Sequence, residues 1–178
     1  TKALHLDYTL DMIRLMCRFI VFTIDRRILI QKMERMSYID PLTGFHNRYS
    51  LNKYMNMELK EDESISLVYS DVAGLKAIND RQGHEAGDRY IVDCCELLRD
   101  VFPEAQHYRI GGDELLVICP GMTREEMEKH IDSLRCEMKN RELVLSVGTG
   151  FTGDAHSFDR VLSLAEKRMY QDKARSFV

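Results

Sequence analysis

Three carboxylates define the chemistry this sequence can support. Asp113 and Glu114 sit at the bend of Tyr108-Arg109-Ile110-Gly111-Gly112-Asp113-Glu114-Leu115-Leu116-Val117-Ile118-Cys119, and Asp71 closes the apolar run Ile65-Ser66-Leu67-Val68-Tyr69-Ser70. Apolar residues on both sides of Gly111-Gly112 predict two short strands joined at a glycine turn. Glycine supplies the positive φ such turns require, and it removes side chains that would keep a bulky ligand off the backbone. Were the Asp71 strand end to lie beside that turn, the acids would repel one another unless hard divalent cations sat between them. Mg²⁺ favours such oxygen ligands together with phosphates. Two metals so held suit in-line attack on a phosphoryl group, one acidifying the attacking hydroxyl and the other stabilising the leaving group. On spacing alone a plainer reading stands equal, with Asp71 as a strand-end cap and Asp113-Glu114 as a solvated turn.

The elements that must hold these acids follow from periodicity and breakers. From about Leu4 to Met36 there is no proline or glycine. Tyr8, Leu15, Phe22, Leu29 and Met36 fit one heptad core position and Met12, Phe19 and Met33 the other, with Arg26 as the exception. Ile13, Ile20, Val21 and Ile24 widen this stripe beyond a two-stranded seam, so a partner chain and another domain both remain open as its occupant. Asp40-Pro41-Leu42-Thr43-Gly44, within Ser37 to Asn47, ends the helix and opens the globular part. A helix is predicted over about Asn47 to Lys60, then the polar run Glu61-Asp62-Glu63-Ser64 and the strand that stops at Asp71. Val72 to Asp88, with three glycines, suits a binding segment with a short helix near Leu75 to Asn79. Asp88 is read as the N-cap of a helix to Val101, and Thr123 with Glu126 as a capping box opening a helix to about Lys139. Leu143 to Gly148 reads as a strand and Phe158 to Ala174 as the last helix. Strands interleaved with helices, including one tight hairpin, indicate an α+β sheet.

Bulk composition narrows the classes. The chain has 178 residues, enough for one domain of about 130 to 150 plus an appendage. A net charge of −4 offers no basic stripe to a nucleic-acid backbone, so no nucleic-acid partner is expected. Leu15 to Ile24 is too short, and too interrupted by Arg18, to span a bilayer, and no membrane contact is expected. Five cysteines, odd in number and mostly inside apolar patterns, read as reduced core thiols and point to the cytoplasm. A chain opening on Thr1 reads as a piece of something longer.

Five blocks, in order, resemble the GGDEF-domain diguanylate cyclases. Gly111-Gly112-Asp113-Glu114-Leu115, preceded by Tyr108-Arg109-Ile110, is similar to the family's signature hairpin. The others are Asp40-Pro41-Leu42-Thr43-Gly44-Phe45-His46-Asn47-Arg48; Asp71 through Lys76; Asn79-Asp80 with Gly83-His84 and Gly87-Asp88; and Leu145-Ser146-Val147-Gly148 followed by Ala165 to Lys173. The resemblance covers roughly Tyr38 to Lys173. It implies a central, mostly antiparallel sheet flanked by helices, of the palm or nucleotide-cyclase type, over 38–178 and preceded by a long helix over 1–37. It also implies that Asp71 and Asp113 hold two Mg²⁺, with Mn²⁺ as an alternative, assisted by the Val72 carbonyl and Glu114. Asn79 and Asp88 would read guanine, whose N1–H and exocyclic amine both donate to one carboxylate. Gly111 and Gly112 would let the nucleotide approach. Lys76 and Lys173, with main-chain amides around Leu75 and Lys76, would neutralise the triphosphate; Asp113, Glu114 and Lys76 carry the catalytic roles. His84 would shape its loop.

The implied reaction is condensation of two GTP into cyclic di-GMP and two pyrophosphates across a homodimer. The N-terminal helix then becomes the dimerising output end of an upstream sensor. The pattern is departed from at Leu115, where the family closes with phenylalanine, and at Ala73, Glu166 and Phe177, with Arg175 as a substitute cation. Phe102 and Ala105 stand where a product-inhibition arginine and aspartate would be, so feedback through that site is not expected. The departures favour a rival reading, a degenerate GTP-binding domain that regulates a partner without turnover.

Overall fold

The computed structural model describes residues 2–36, 38–57, 64–153 and 157–176, with the side chains of 2–11, 31–32, 34–36 and 176 left aside. The side chains of Tyr8 and Met36, and Ser37, Leu59 to Glu63 and Phe177, lie outside the described residues. The chain divides into two units, Thr1–Tyr38 and Ile39–Val178.

The first unit is α1 (Lys2–Met36). Its described large apolar side chains are exposed all along, from the heptad positions Leu15, Phe19 and Phe22 to the second set Ile13, Ile20 and Ile24. Among the described residues no helix is long and apolar enough to cross a membrane.

The second unit is built on β1 (His46–Asn47), β2 (Ile65–Val72), β3 (Gln106–Arg109), β4 (Glu114–Pro120) and β5 (Leu145–Thr152). These form one sheet in the order β1-β3-β4-β2-β5, antiparallel except for the β1–β3 pair. Its helices are α2 (Arg48–Met57), α3 (Leu75–Gln82), α4 (His84–Val101), α5 (Arg124–Asn140) and α6 (Phe158–Ser176). Every residue of β2 is buried, because the strand is central and covered on both faces. Side chains alternate between faces. Val68, Val72, Leu115 and Val117 therefore pack with Ile91, Leu98 and Leu134, and Leu67, Tyr69, Leu116 and Ile118 pack with Leu51, Val161, Ala165 and Met169. Leu115 is fully buried, so the departure from phenylalanine is a core substitution.

The mostly antiparallel sheet and the capping box at Thr123 agree with expectation, the box with both reciprocal bonds formed. Other boundaries are corrected. Asp88 is not an N-cap: α4 begins at His84, capped by Gly83 at φ 86°, which places Asp88 one turn inside the helix. β5 continues past Gly148 to Thr152, since Gly148 and Gly150 are clearances and not breaks. A Cβ on Gly148 would stand 2.0 Å from the Ala165 carbonyl oxygen, so the glycine lets α6 lie directly on the strand. Burial pushes the thiols of Cys94, Cys95 and Cys119 up to about 12, as expected for inert core cysteines. Cys17 and Cys136 are exposed instead.

Candidate active site

The register of the sheet brings the acids together. Asp71, near the end of β2, lies directly opposite Glu114 on β4 and Ser146 on β5. Directly opposed residues share a face, and like charges there destabilise the pairing unless a cation intervenes. Lys173 of α6 neutralises the Asp71 member of this pair, its Nζ donating to Asp71 Oδ1 at 2.7 Å. The bond to Asp71 raises the Lys173 pKa above its ordinary value despite partial burial, and the Asp113 charge adds to the effect. Asp71 is only 4% exposed.

The hairpin turn is fixed by main-chain bonds. Ile110 N–H donates to the Glu114 carbonyl at 3.0 Å, and Val72 N–H to the Asp113 carbonyl at 2.9 Å, which fastens the turn to the end of β2. Neither Gly111 nor Gly112 has a positive φ, so the expectation that this turn needs left-handed glycine is wrong. Gly111 leaves room for the Glu114 side chain as it lies: a Cβ there would stand 2.5 Å from Glu114 Oε2 and push that carboxylate aside. Beside Gly112 nothing would lie within 4 Å of an added Cβ. Tyr69 is raised above the ordinary phenol range by burial, with the Glu114 and Glu166 charges adding to it.

One positioning group was missed from sequence. Arg109 donates from Nε and Nη2 to the Gly112 carbonyl, at 3.2 and 2.7 Å, and from Nη1 to Asp40 Oδ1 at 3.1 Å. Asp40 is itself held by the Thr43 amide and hydroxyl at 2.9 and 2.8 Å. The Asp40 turn thus braces the glycine turn through one guanidinium. The available signal was an arginine just before Gly-Gly, with an Asp-Pro-Leu-Thr-Gly turn awaiting a cation.

A cleft of about 360 Å³ opens beside the turn. Asn79, Gly87 and Asp88 line one side and Arg109, Gly112 and Asp113 the other, with Leu75 and Ile91 between. Asn79 Oδ1 is buried without a hydrogen-bond partner. A Cβ on Gly87 would lie 2.0 Å from that oxygen, so α3 and α4 meet this closely only because residue 87 has no side chain. Lys76 is exposed on the first turn of α3 and does not line the cleft.

Residues 37–177 match the family model described as diguanylate cyclase, GGDEF domain. The chain belongs to the GGDEF family. Among curated relatives, an uncharacterized protein in the hutH 5′ region of Streptomyces griseus is 30% identical over 162 residues, covering 82% of this chain and 66% of that protein. Diguanylate cyclase DgcN of Escherichia coli is 29% identical over 154 residues, covering 78% of this chain but 38% of DgcN. The chain thus spans under two thirds of either relative. The crystal structure of the coiled coil and GGDEF domain of DgcB from Caulobacter crescentus, in complex with c-di-GMP, superposes with a TM-score of 0.66 at 21% identity, over 90% of this chain and 94% of that one. That likeness supports the fold, with its GGDEF sheet and preceding helix.

The donor set suits a hard divalent cation in part. Asp71 holds an ammonium on one carboxylate oxygen, and Asp113 and Glu114 follow on the adjoining turn and strand. Among the described residues no three acid, histidine or cysteine side chains converge enough to hold a metal unaided. The remaining ligands would have to come from the Val72 carbonyl and from phosphate oxygens, as Mg²⁺ sites commonly arrange.

Proposed function

We propose that this GGDEF domain is a diguanylate cyclase that condenses two GTP into cyclic di-GMP and two pyrophosphates. The observation that carries the reading is the single cleft lined by Asn79 and Asp88 at one end and Gly112 and Asp113 at the other. Asn79 and Asp88 bring an amide and a carboxylate to the cleft, and the guanine N1–H and amine offer donors that adenine does not present in that pattern. Asp88 completes the reading of the base. The open face of Gly112 lets the sugar-phosphate lie against the turn. Amides at the start of α3, around Leu75 and Lys76, favour the triphosphate, as helix N-termini favour anions; Lys76 and Lys173 add charge.

Asp71 and Asp113, with Glu114 and the Val72 carbonyl, would hold Mg²⁺, which when bound acidifies the 3′-hydroxyl and stabilises the leaving pyrophosphate. Each domain has one such cleft, so a second copy must bring the other GTP within reach, and orientation of the two copies becomes the controllable quantity. The apolar residues around α1 supply a surface for that pairing, as a second copy in a coiled coil, and an upstream sensor could act by shifting it.

The test is GTP and Mg²⁺ with purified protein at several concentrations, followed by chromatography for cyclic di-GMP. Product should rise more steeply than linearly with protein and disappear on chelation. Removing residues 1–36 should lower specific activity at dilute protein; equal activity at every concentration would refute the helix's role. A non-catalytic GTP-binding domain is the second reading, favoured by the absence of a three-acid cluster among the described residues. GTP binding without product would select it.

A further inference from the structure

Next to the Asp113 turn, but outside the residues that line the cleft, Asp71 already carries a cation. Asp71 Oδ1 holds the Lys173 ammonium at 2.7 Å. Across the strand, Ser146 Oγ is buried and has no hydrogen-bond partner, a condition native interiors rarely leave in place. Ser146 lies directly opposite Asp71, and Glu114 opposes it on the other side. A carboxylate is thus drawn to an ammonium while the neighbouring hydroxyl stands idle.

We propose that Lys173 is the resident counter-ion of Asp71, competes with divalent metal for that carboxylate, and yields it when a triphosphate gives the ammonium a second anion, after which Ser146 donates to the freed carboxylate and positions it. The proposal rests on the reading of Asp71 as a metal ligand. An ammonium and a divalent cation at one carboxylate oxygen repel each other at contact range, so in nucleotide-free protein the metal must first displace Lys173. Lys173 can leave without exposing a bare buried charge, because its side chain is 32% exposed and already reaches solvent. The helix need not move. Asp172 accepts from Val147 N–H at 2.9 Å and fixes the register of α6, so the exchange is a swing of one flexible side chain. Metal would then bind the nucleotide-free chain weakly and load more tightly together with nucleotide, consistent with a site sparse in acids among the described residues.

The experiment is Mn²⁺ binding to the nucleotide-free whole chain, read by electron paramagnetic resonance of the free ion. Lys173→Met should tighten Mn²⁺ about tenfold, the scale of removing a charge-assisted competitor. An unchanged or weaker affinity overturns the exchange. Lys173→Gln, expected to behave alike, keeps the test alive if the methionine variant does not fold by circular dichroism. In the Lys173→Met background, Ser146→Ala should lower Mn²⁺ affinity about threefold and Ser146→Thr should restore it; no change on Ser146→Ala removes the serine's role. Asp71→Asn in the same background separates the two levels of the argument. If tight binding survives without Asp71, the metal-site reading itself is wrong; if Asp71-dependent binding exists but ignores Lys173, only the exchange fails.

Discussion

The acidic end of the cleft and its α3–α4 end are held by different means. At the acidic end, position comes from bonds: strand register sets Asp71 against Glu114, Val72 N–H grips the Asp113 carbonyl, and Arg109 clamps the Gly112 carbonyl. At the α3–α4 end, position comes from clearance: Gly87 makes room for Asn79, and Gly74 and Gly83, both at positive φ, cap the two ends of α3. Charges need fixed partners to develop catalytic fields, whereas a planar base needs shape and one or two aimed acceptors. On the proposed reading, damage at the first end should therefore appear in turnover, and damage at the second in affinity and base selectivity.

Asp113→Ala should break this contrast most visibly if it is wrong. If Asp113 holds metal in a diguanylate cyclase, as proposed, its loss should cut cyclic di-GMP formation about 10³-fold or more, with thermal stability nearly unchanged. A fall in stability matched to the fall in rate would show that the acid is structural. Gly87→Ala is the complementary change, since its methyl would displace Asn79. GTP KM should rise about tenfold or more while kcat moves little, and discrimination against ATP should relax. Arg109→Ala attacks the bonded end without removing a carboxylate. It should cost about 1–2 kcal/mol in urea unfolding and lower kcat more than it raises KM.

The smallest effect concerns pH. Burial pushes the Asp40 carboxyl up, but its bonds to Thr43 and Arg109 outweigh this, and its pKa lies below the ordinary 3.8. A depressed carboxylate contributes stability above its unfolded-state pKa and loses it as pH falls through the folded value. The stability difference between the wild type and Asp40→Asn should therefore be complete above about pH 4 and shrink below it. A difference that grows on acidification would contradict the brace.

Much of this was legible from residue order, because strand ends and glycine turns announce themselves. Asp71 terminates an apolar run and Asp113 follows two glycines, and an antiparallel sheet with β2 beside β4 brings them together. Asp88 was misassigned because Gly83 and Gly87 look like breaks, yet only Gly83 caps; Gly87 sits inside α4 as a tertiary clearance that local propensity does not contain. The same limit hid the extent of β5, whose glycines answer to α6. Arg109 could be read as a strand residue, but its partners lie 69 residues upstream and across a turn, a pairing no local window contains.

The way α6 closes over β5 bears on how copies of this protein avoid sticking. An outermost strand normally presents a row of open amides and carbonyls that a stray chain can copy. Here the outward N–H of Val147 is taken by Asp172 and the carbonyl of Thr149 by Arg168, and the opposite margin is β1, only two residues long. Neither border is a good template for strand addition. Crowding the protein should therefore not drive ribbon growth through either border of this sheet.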